Sequence, residues 1–214
     1  MQDGFLERIA ACGVVPVVTV PDAETAVPVA QALLDGGIDV IELTLRTEAG
    51  VRAIAAIARS CPDMLVIAGT VLHPAQFAAV RDAGALASVS PGFSEALHEA
   101  AEAAGMPWLP GVATASDVMR AVGCGRTNLK FFPAELAGGV AMLRALSGPF
   151  PDTRFCPTGG VTSANLGDYL SVPSVMCVGG TWLAPAKAVT DRDWAVIRDE
   201  ARTARLAVDA VRGR

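Results

Sequence analysis

Apolar runs of five to eight residues recur along the chain about 20–25 residues apart. They read VVPVVTV (14–20), IDVIELTL (38–45), MLVIAG (64–69), LASVS (86–90), MPWLPG (106–111), NLKFFP (128–133), TRFCPTGG (153–160) and SVMCVGG (174–180). Each run has the length and the Val, Ile and Leu content of a buried strand, and the mixed stretches between them have helical spacing. The stretch DAETAVPVAQALLDGG opens on Asp22, an expected N-cap, and closes on Gly36 and Gly37, an expected C-cap. The junctions LDGGID, RDAGAL and EAAGMP each put glycine between a helix end and a strand start. Gly84, Gly105 and Gly125 follow one another at intervals of 21 and 20 residues.

Eight β-then-α units without a long interruption predict a closed (β/α)8 TIM barrel, a single domain spanning residues 1–214. Residues 2–12 form an extra N-terminal helix in this reading, and 192–211 a C-terminal one. An open doubly wound sheet fits less well, because it usually needs only about five or six strands. In a barrel the chemistry sits at the C-terminal ends of the strands. That rule selects Glu42, Thr44 and Arg46, then Gly69 and Thr70, then Ser90, Pro91 and Gly92. Lys130, the Thr158-Gly159-Gly160 run and the Gly179-Gly180-Thr181 run follow.

Composition narrows the partners. The chain is 52% hydrophobic, yet no apolar run approaches the roughly 18 residues of a spanning helix. Asp3 and Glu7, rather than a basic segment, precede the first apolar stretch, so no signal peptide and a cytoplasmic location are expected. A net charge of -5 argues against nucleic acid, and any anionic ligand must be held by local groups. Five scattered cysteines without CxxC spacing read as core residues in a reducing compartment. Two distant histidines give no His-based metal site.

Lys130 stands out. Of 17 basic residues only Lys130 and Lys187 are lysines, and Lys130 sits between Leu129 and two phenylalanines. Such neighbours disfavour a charged ammonium. A neutral lysine attacks carbonyls to form a Schiff base, which arginine cannot do. The bland alternative is a lysine that snorkels outward or pairs with a carboxylate. Glu42, on an otherwise apolar strand, is either the core partner of Arg46 or a general acid/base facing Lys130 across the barrel mouth. Arg46 reads equally as a surface charge or as a bidentate clamp on a substrate carboxylate. Thr70 and Thr158 offer hydroxyls at the same mouth, or caps for the following helices. The paired glycines after the seventh and eighth strands suit a phosphate bound by backbone amides and helix N-termini.

Taken together, PVV (16–18), IELTLRT (41–47), AGTVL (68–72), SPGF (90–93), LPGVAT (109–114), KFFPAE (130–135), RFCPTGG (154–160) and VGGTWL (178–183) carry a family resemblance. Over roughly residues 10–200 the chain resembles 2-keto-3-deoxy-6-phosphogluconate aldolase, also described as 4-hydroxy-2-oxoglutarate aldolase. The resemblance implies a cofactor-free class I aldolase on a homotrimeric barrel, cleaving a phosphorylated 2-keto acid. It implies that Lys130 is the Schiff-base lysine and Glu42 the general acid/base. Arg46, Thr70, Pro91, Phe132 and Thr158 would surround the pyruvate end, and Gly159, Gly160, Gly180 and Thr181 would hold the phosphate. Thr181 departs from the serine of many relatives but keeps the hydroxyl. Thr158 favours the gluconate-derived substrate over the galactonate-derived one. A non-aldolase phosphate-binding barrel, a silent binding barrel, and an aldolase acting mainly on 4-hydroxy-2-oxoglutarate are the competing readings.

Overall fold

The computed structural model describes residues 2–213. The strands are β1 (Val14–Val18), β2 (Val40–Thr44), β3 (Leu65–Gly69), β4 (Ala87–Val89), β5 (Trp108–Leu109), β6 (Gly111–Val112), β7 (Asn128–Phe131), β8 (Arg154–Pro157) and β9 (Val178–Gly180). The helices are α1 (Gln2–Cys12), α2 (Ala26–Asp35), α3 (Gly50–Ser60), α4 (Ala75–Asp82), α5 (Glu95–Ala104), α6 (Ala115–Gly123), α7 (Gly139–Ser147), α8 (Leu166–Leu170), α9 (Ala186–Asp191) and α10 (Trp194–Arg212).

All strand pairings are parallel, and they run in a ring. β1 to β5 are neighbours in chain order, β6 to β8 likewise, and β9 returns to pair with β1. The stretches around β8 and β9 touch through two isolated bridges, Phe155–Val175 and Thr158–Gly179. This is the expected barrel with one correction, in the fifth strand. Pro110 has no N–H to donate to a ladder, so the run MPWLPG breaks there into β5 and β6. Its first half pairs with β4 and its second with β7, and the Pro110 carbonyl accepts the Lys130 N–H at 2.9 Å.

Asp22 is a second correction. It does not cap α2, which starts at Ala26; its carboxylate accepts from the Thr25 N–H and hydroxyl at 2.8 and 2.5 Å and shapes the preceding turn. Those bonds from Thr25 hold the Asp22 carboxyl below the usual range. The expected terminal helices are present as α1 and α10, and α9 is a short helix that the sequence pattern did not announce.

Parallel neighbours in register present their side chains to the same face. Glu42 is aligned with Val17 on one side and Ile67 on the other, and Lys130 with Gly111 and Cys156. The alternate residues Ile41, Leu43, Leu129 and Phe131 are fully buried on the other face, beneath the helices. The core is one continuous cluster running from Phe5 in α1 to Val208 in α10.

α1 lies across the N-terminal end of the barrel. Arg8 donates to the Asp39 carboxylate at 2.7 Å, just before β2, and to the carbonyl of Asp63, just before β3. Phe5 and Leu6 line a cavity of about 180 Å³ with Pro107, Trp108, Thr127 and Asn128, at the starts of the fifth and sixth strand positions. That end is covered, so the site is built at the other.

Candidate active site

β2 and β7 share no edge, yet Lys130 Nζ donates to both Glu42 carboxylate oxygens, at 3.0 and 3.2 Å. Only the barrel interior lets these two side chains meet. Glu42 is 3% and Lys130 5% exposed, so each charge depends on the other in place of bulk water. Nζ also lies 5.4 Å from the centre of the Phe132 ring, within cation–π range.

The reason given for Lys130 needs correcting. Strand alternation turns Leu129 and Phe131 outward, so the residues flanking the lysine in sequence are not its surroundings in space. The amine meets a carboxylate and the ring of Phe132. The same geometry removes the reading of Glu42 as a core partner for Arg46. Arg46 is exposed in the turn after β2 and makes no hydrogen bond or ion pair with the described residues. Its guanidinium is available at the mouth.

Space for Glu42 comes from Gly69 at the end of β3. A Cβ there would lie 2.4 Å from Glu42 Oε1 and 2.6 Å from its Cγ. Gly69→Ala is therefore expected to push the carboxylate off Lys130. Overpacking of this kind costs about 1–3 kcal/mol, and displacing a reacting group by about 1 Å lowers turnover by up to about 10²-fold. Thermal unfolding and steady-state kinetics of the variant check both; unchanged kcat would mean that Glu42 has room the geometry does not show.

Thr70 follows Gly69 with φ +61, left-handed backbone that a β-branched residue rarely adopts. It does not cap the next helix: α4 begins at Ala75 with Pro74 before it, and the Gln76 side chain accepts the Leu72 and His73 N–H groups. Thr158 is no cap either. It is buried at the end of β8, its hydroxyl 3.4 Å from the Cys156 carbonyl, and α8 begins after Asn165. Gly179 clears its side chain, since a Cβ there would lie 2.3 Å from Thr158 Oγ1.

Pro91 sits in a pinned turn. Ser90 Oγ donates to the Gly92 carbonyl at 2.6 Å and accepts from the Trp108 indole N–H at 3.0 Å. The Pro91 carbonyl presses so closely on β6 that a Cβ at Gly111 would be 2.2 Å from it. Cys156, aligned with the lysine, interacts with the Cys177 thiol. That interaction, then burial, pushes the Cys177 thiol well up; the same interaction draws Cys156 down against its burial, helped by Lys130. Four of the five cysteines are buried and Cys124 is half-buried.

The glycine loops flank the same mouth. Gly159 and Gly160 both have positive φ (+97 and +83), which suits glycine alone. Their missing Cβ groups face protein rather than open space: one at Gly160 would meet Glu135 Cγ at 2.4 Å, one at Gly180 the Trp182 ring at 1.6 Å. A side chain at either position would displace its neighbour, which is a different reason for glycine from obstruction of an anion. Thr181 is exposed beside them.

Sequence reasoning did not single out Gly69 as the clearance for Glu42, nor the Thr19–Thr44 hydroxyl pair at 2.7 Å across the tops of β1 and β2. It also passed over the contacts of Glu135 with Asn165 and Tyr169. Glu135 lies inside the motif KFFPAE, so its place in the sequence was the available signal.

A buried primary amine held by a carboxylate at the mouth of a (β/α)8 barrel is the equipment of a Schiff-base carbon–carbon lyase, the class the family comparison shows. The chain belongs to the KDPG and KHG aldolase family, whose model matches residues 6–199. It is 49% identical over 200 residues to the KHG/KDPG aldolase of Escherichia coli K12, covering 94% of this chain and 91% of that protein. The crystal structure of the KDPG aldolase of Legionella pneumophila, with pyruvate captured at low pH as a covalent carbinolamine intermediate, superposes with a TM-score of 0.89. Identity there is 43%, covering 92% of this chain and 96% of that one. The 2-keto-3-deoxy-6-phosphogluconate aldolase of Zymomonas mobilis ZM4, with 3-phosphoglycerate, gives a TM-score of 0.88 at 40% identity, covering 95% and 94%.

Proposed function

We propose that this class I aldolase cleaves 2-keto-3-deoxy-6-phosphogluconate to pyruvate and glyceraldehyde 3-phosphate, with Lys130 as the Schiff-base lysine and Glu42 as its acid/base partner. The observation that carries the assignment is the contact between Lys130 Nζ and both Glu42 oxygens inside the barrel. Glu42 is within reach to take the ammonium proton, which frees the lone pair that attacks the C2 ketone. Glu42 returns that proton to the carbinolamine hydroxyl, which leaves as water to give an iminium and restores the carboxylate. Glu42, directly or through water, then takes the C4 hydroxyl proton as the C3–C4 bond breaks, and the bonding pair flows into the iminium. Glyceraldehyde 3-phosphate leaves. Protonation of the enamine at C3 and hydrolysis return Lys130 and release pyruvate.

Arg46, free at the mouth, is suited to the substrate carboxylate, with Thr70, Pro91, Phe132 and Thr158 around the pyruvate end. Gly159, Gly160, Gly180 and Thr181 form the phosphate side. The reading includes a homotrimer, which rests on family resemblance, and a cytoplasmic location, expected from the acidic N-terminal flank and the scattered cysteines of the sequence.

Borohydride reduction in the presence of pyruvate tests the assignment. One reduced three-carbon adduct per chain is expected, located at Lys130 by peptide mass spectrometry. An adduct confined to Lys187 or the N-terminus would remove Lys130 from the mechanism.

A further inference from the structure

Three successive carbonyls after β8 are tied back to protein donors. Thr158 O accepts from the Ala134 N–H at 2.8 Å, Gly159 O from the Glu135 N–H at 3.0 Å, and Gly160 O from Asn165 Nδ2 at 3.1 Å. A trans peptide unit points its N–H opposite to its C=O. Tying back the Gly159 and Gly160 carbonyls therefore turns the N–H groups of Gly160 and Val161 the other way, and neither has an acceptor among the described residues. Adjacent amides turned one way by the positive φ of Gly159 and Gly160 are suited to an anion-binding concavity.

The side chains that hold this arrangement are themselves held. Asn165 Oδ1 accepts from the Thr162 N–H at 2.7 Å, while its Nδ2 reaches Gly160 O and, at 3.3 Å, Glu135 Oε1. The buried Tyr169 hydroxyl donates to the same Glu135 oxygen. Burial first, then Glu135, raises the Tyr169 phenol far above its ordinary range, so it stays a donor at any working pH. The stem of Glu135 fills the space where a Gly160 Cβ would stand. Glu135 is also five residues from Lys130, so the loop is fastened to the turn that follows the reactive strand.

We propose that Asn165, Glu135 and Tyr169 are positioning residues that preset the Gly160 and Val161 amides for the phosphate group, and so set the preference for phosphorylated over unphosphorylated substrate. This rests on the phosphate assignment of the glycine loop made above. A loop that must reorient before binding spends part of the phosphate's binding energy on that ordering; a braced one does not. None of the three residues needs to touch the substrate.

The test compares Asn165→Ala and Tyr169→Phe with the parent enzyme. Three quantities are measured: kcat/KM for 2-keto-3-deoxy-6-phosphogluconate, kcat/KM for 4-hydroxy-2-oxoglutarate, and the inhibition constant of inorganic phosphate. Tyr169→Phe keeps the buried ring and removes only the hydroxyl, so it guards against a folding failure in Asn165→Ala. The expected result is a loss of about 10- to 100-fold on the phosphorylated substrate, weaker inhibition by phosphate, and a change of no more than about 3-fold on the unphosphorylated one. Equal losses on both substrates, or an unchanged phosphate constant, would overturn the brace. Absence of competition by inorganic phosphate in the parent enzyme would instead overturn the underlying phosphate assignment.

Discussion

Lys130→Arg is expected to abolish aldol cleavage while leaving a folded barrel. Arginine keeps a positive charge opposite Glu42, so the buried carboxylate is not left alone, a state that costs about 3–5 kcal/mol when one partner of such a pair is removed. What it loses is the deprotonatable amine, because a guanidinium stays charged at any pH the protein survives. The fall should reach about 10⁴–10⁶-fold, the scale of removing a covalent nucleophile from an enzyme that keeps its binding groups. Substrate affinity, read by equilibrium binding of an unreactive analogue, should change far less. Residual activity within about 10²-fold of the parent would mean that another amine carries the carbonyl chemistry.

Glu42→Gln should lower kcat by about 10²–10⁴-fold, the usual worth of a positioned acid/base. The amide preserves shape beside Gly69 but cannot take a proton. It also leaves the Lys130 charge without its counterion at 3.0 Å, so a drop in melting temperature should accompany the kinetic loss. Pyruvate trapping separates the two consequences. If Glu42 moves protons, the adduct still forms at Lys130 but more slowly, and cleavage suffers more than adduct formation. A melting temperature that falls while kcat stays at the parent value would return Glu42 to a structural role.

The barrel was legible from the spacing of the apolar runs because a parallel strand covered on both faces must be apolar almost throughout. The break at Pro110 was not read, although the residue was in view; it takes the ladder partners on each side to show that one run serves two neighbours. Glu42 and Lys130 were found from their strangeness, as charges in apolar strands. Their contact depends on a long-range closure that local pattern cannot measure. The environment of Lys130 was misread for the same reason, since alternation sends its sequence neighbours to the opposite face. Gly69 and the Glu135–Asn165–Tyr169 brace were harder still. A glycine that makes room looks like any other glycine, and residues 135, 165 and 169 come together only when the start of α8 meets the turn after β7.

The covered N-terminal end has a consequence for traffic through the enzyme. With α1 tied across that end, the substrate and both products of the proposed cleavage would pass the C-terminal mouth. In the proposed reaction pyruvate is the fragment bonded to Lys130 in the interior, and the aldehyde fragment would lie on the side of the mouth. The aldehyde must therefore depart first in cleavage, and pyruvate must enter first in the reverse condensation. Steady-state inhibition should accordingly show an ordered queue, in which pyruvate competes with the keto acid for the empty enzyme and the aldehyde engages only the pyruvate-loaded form.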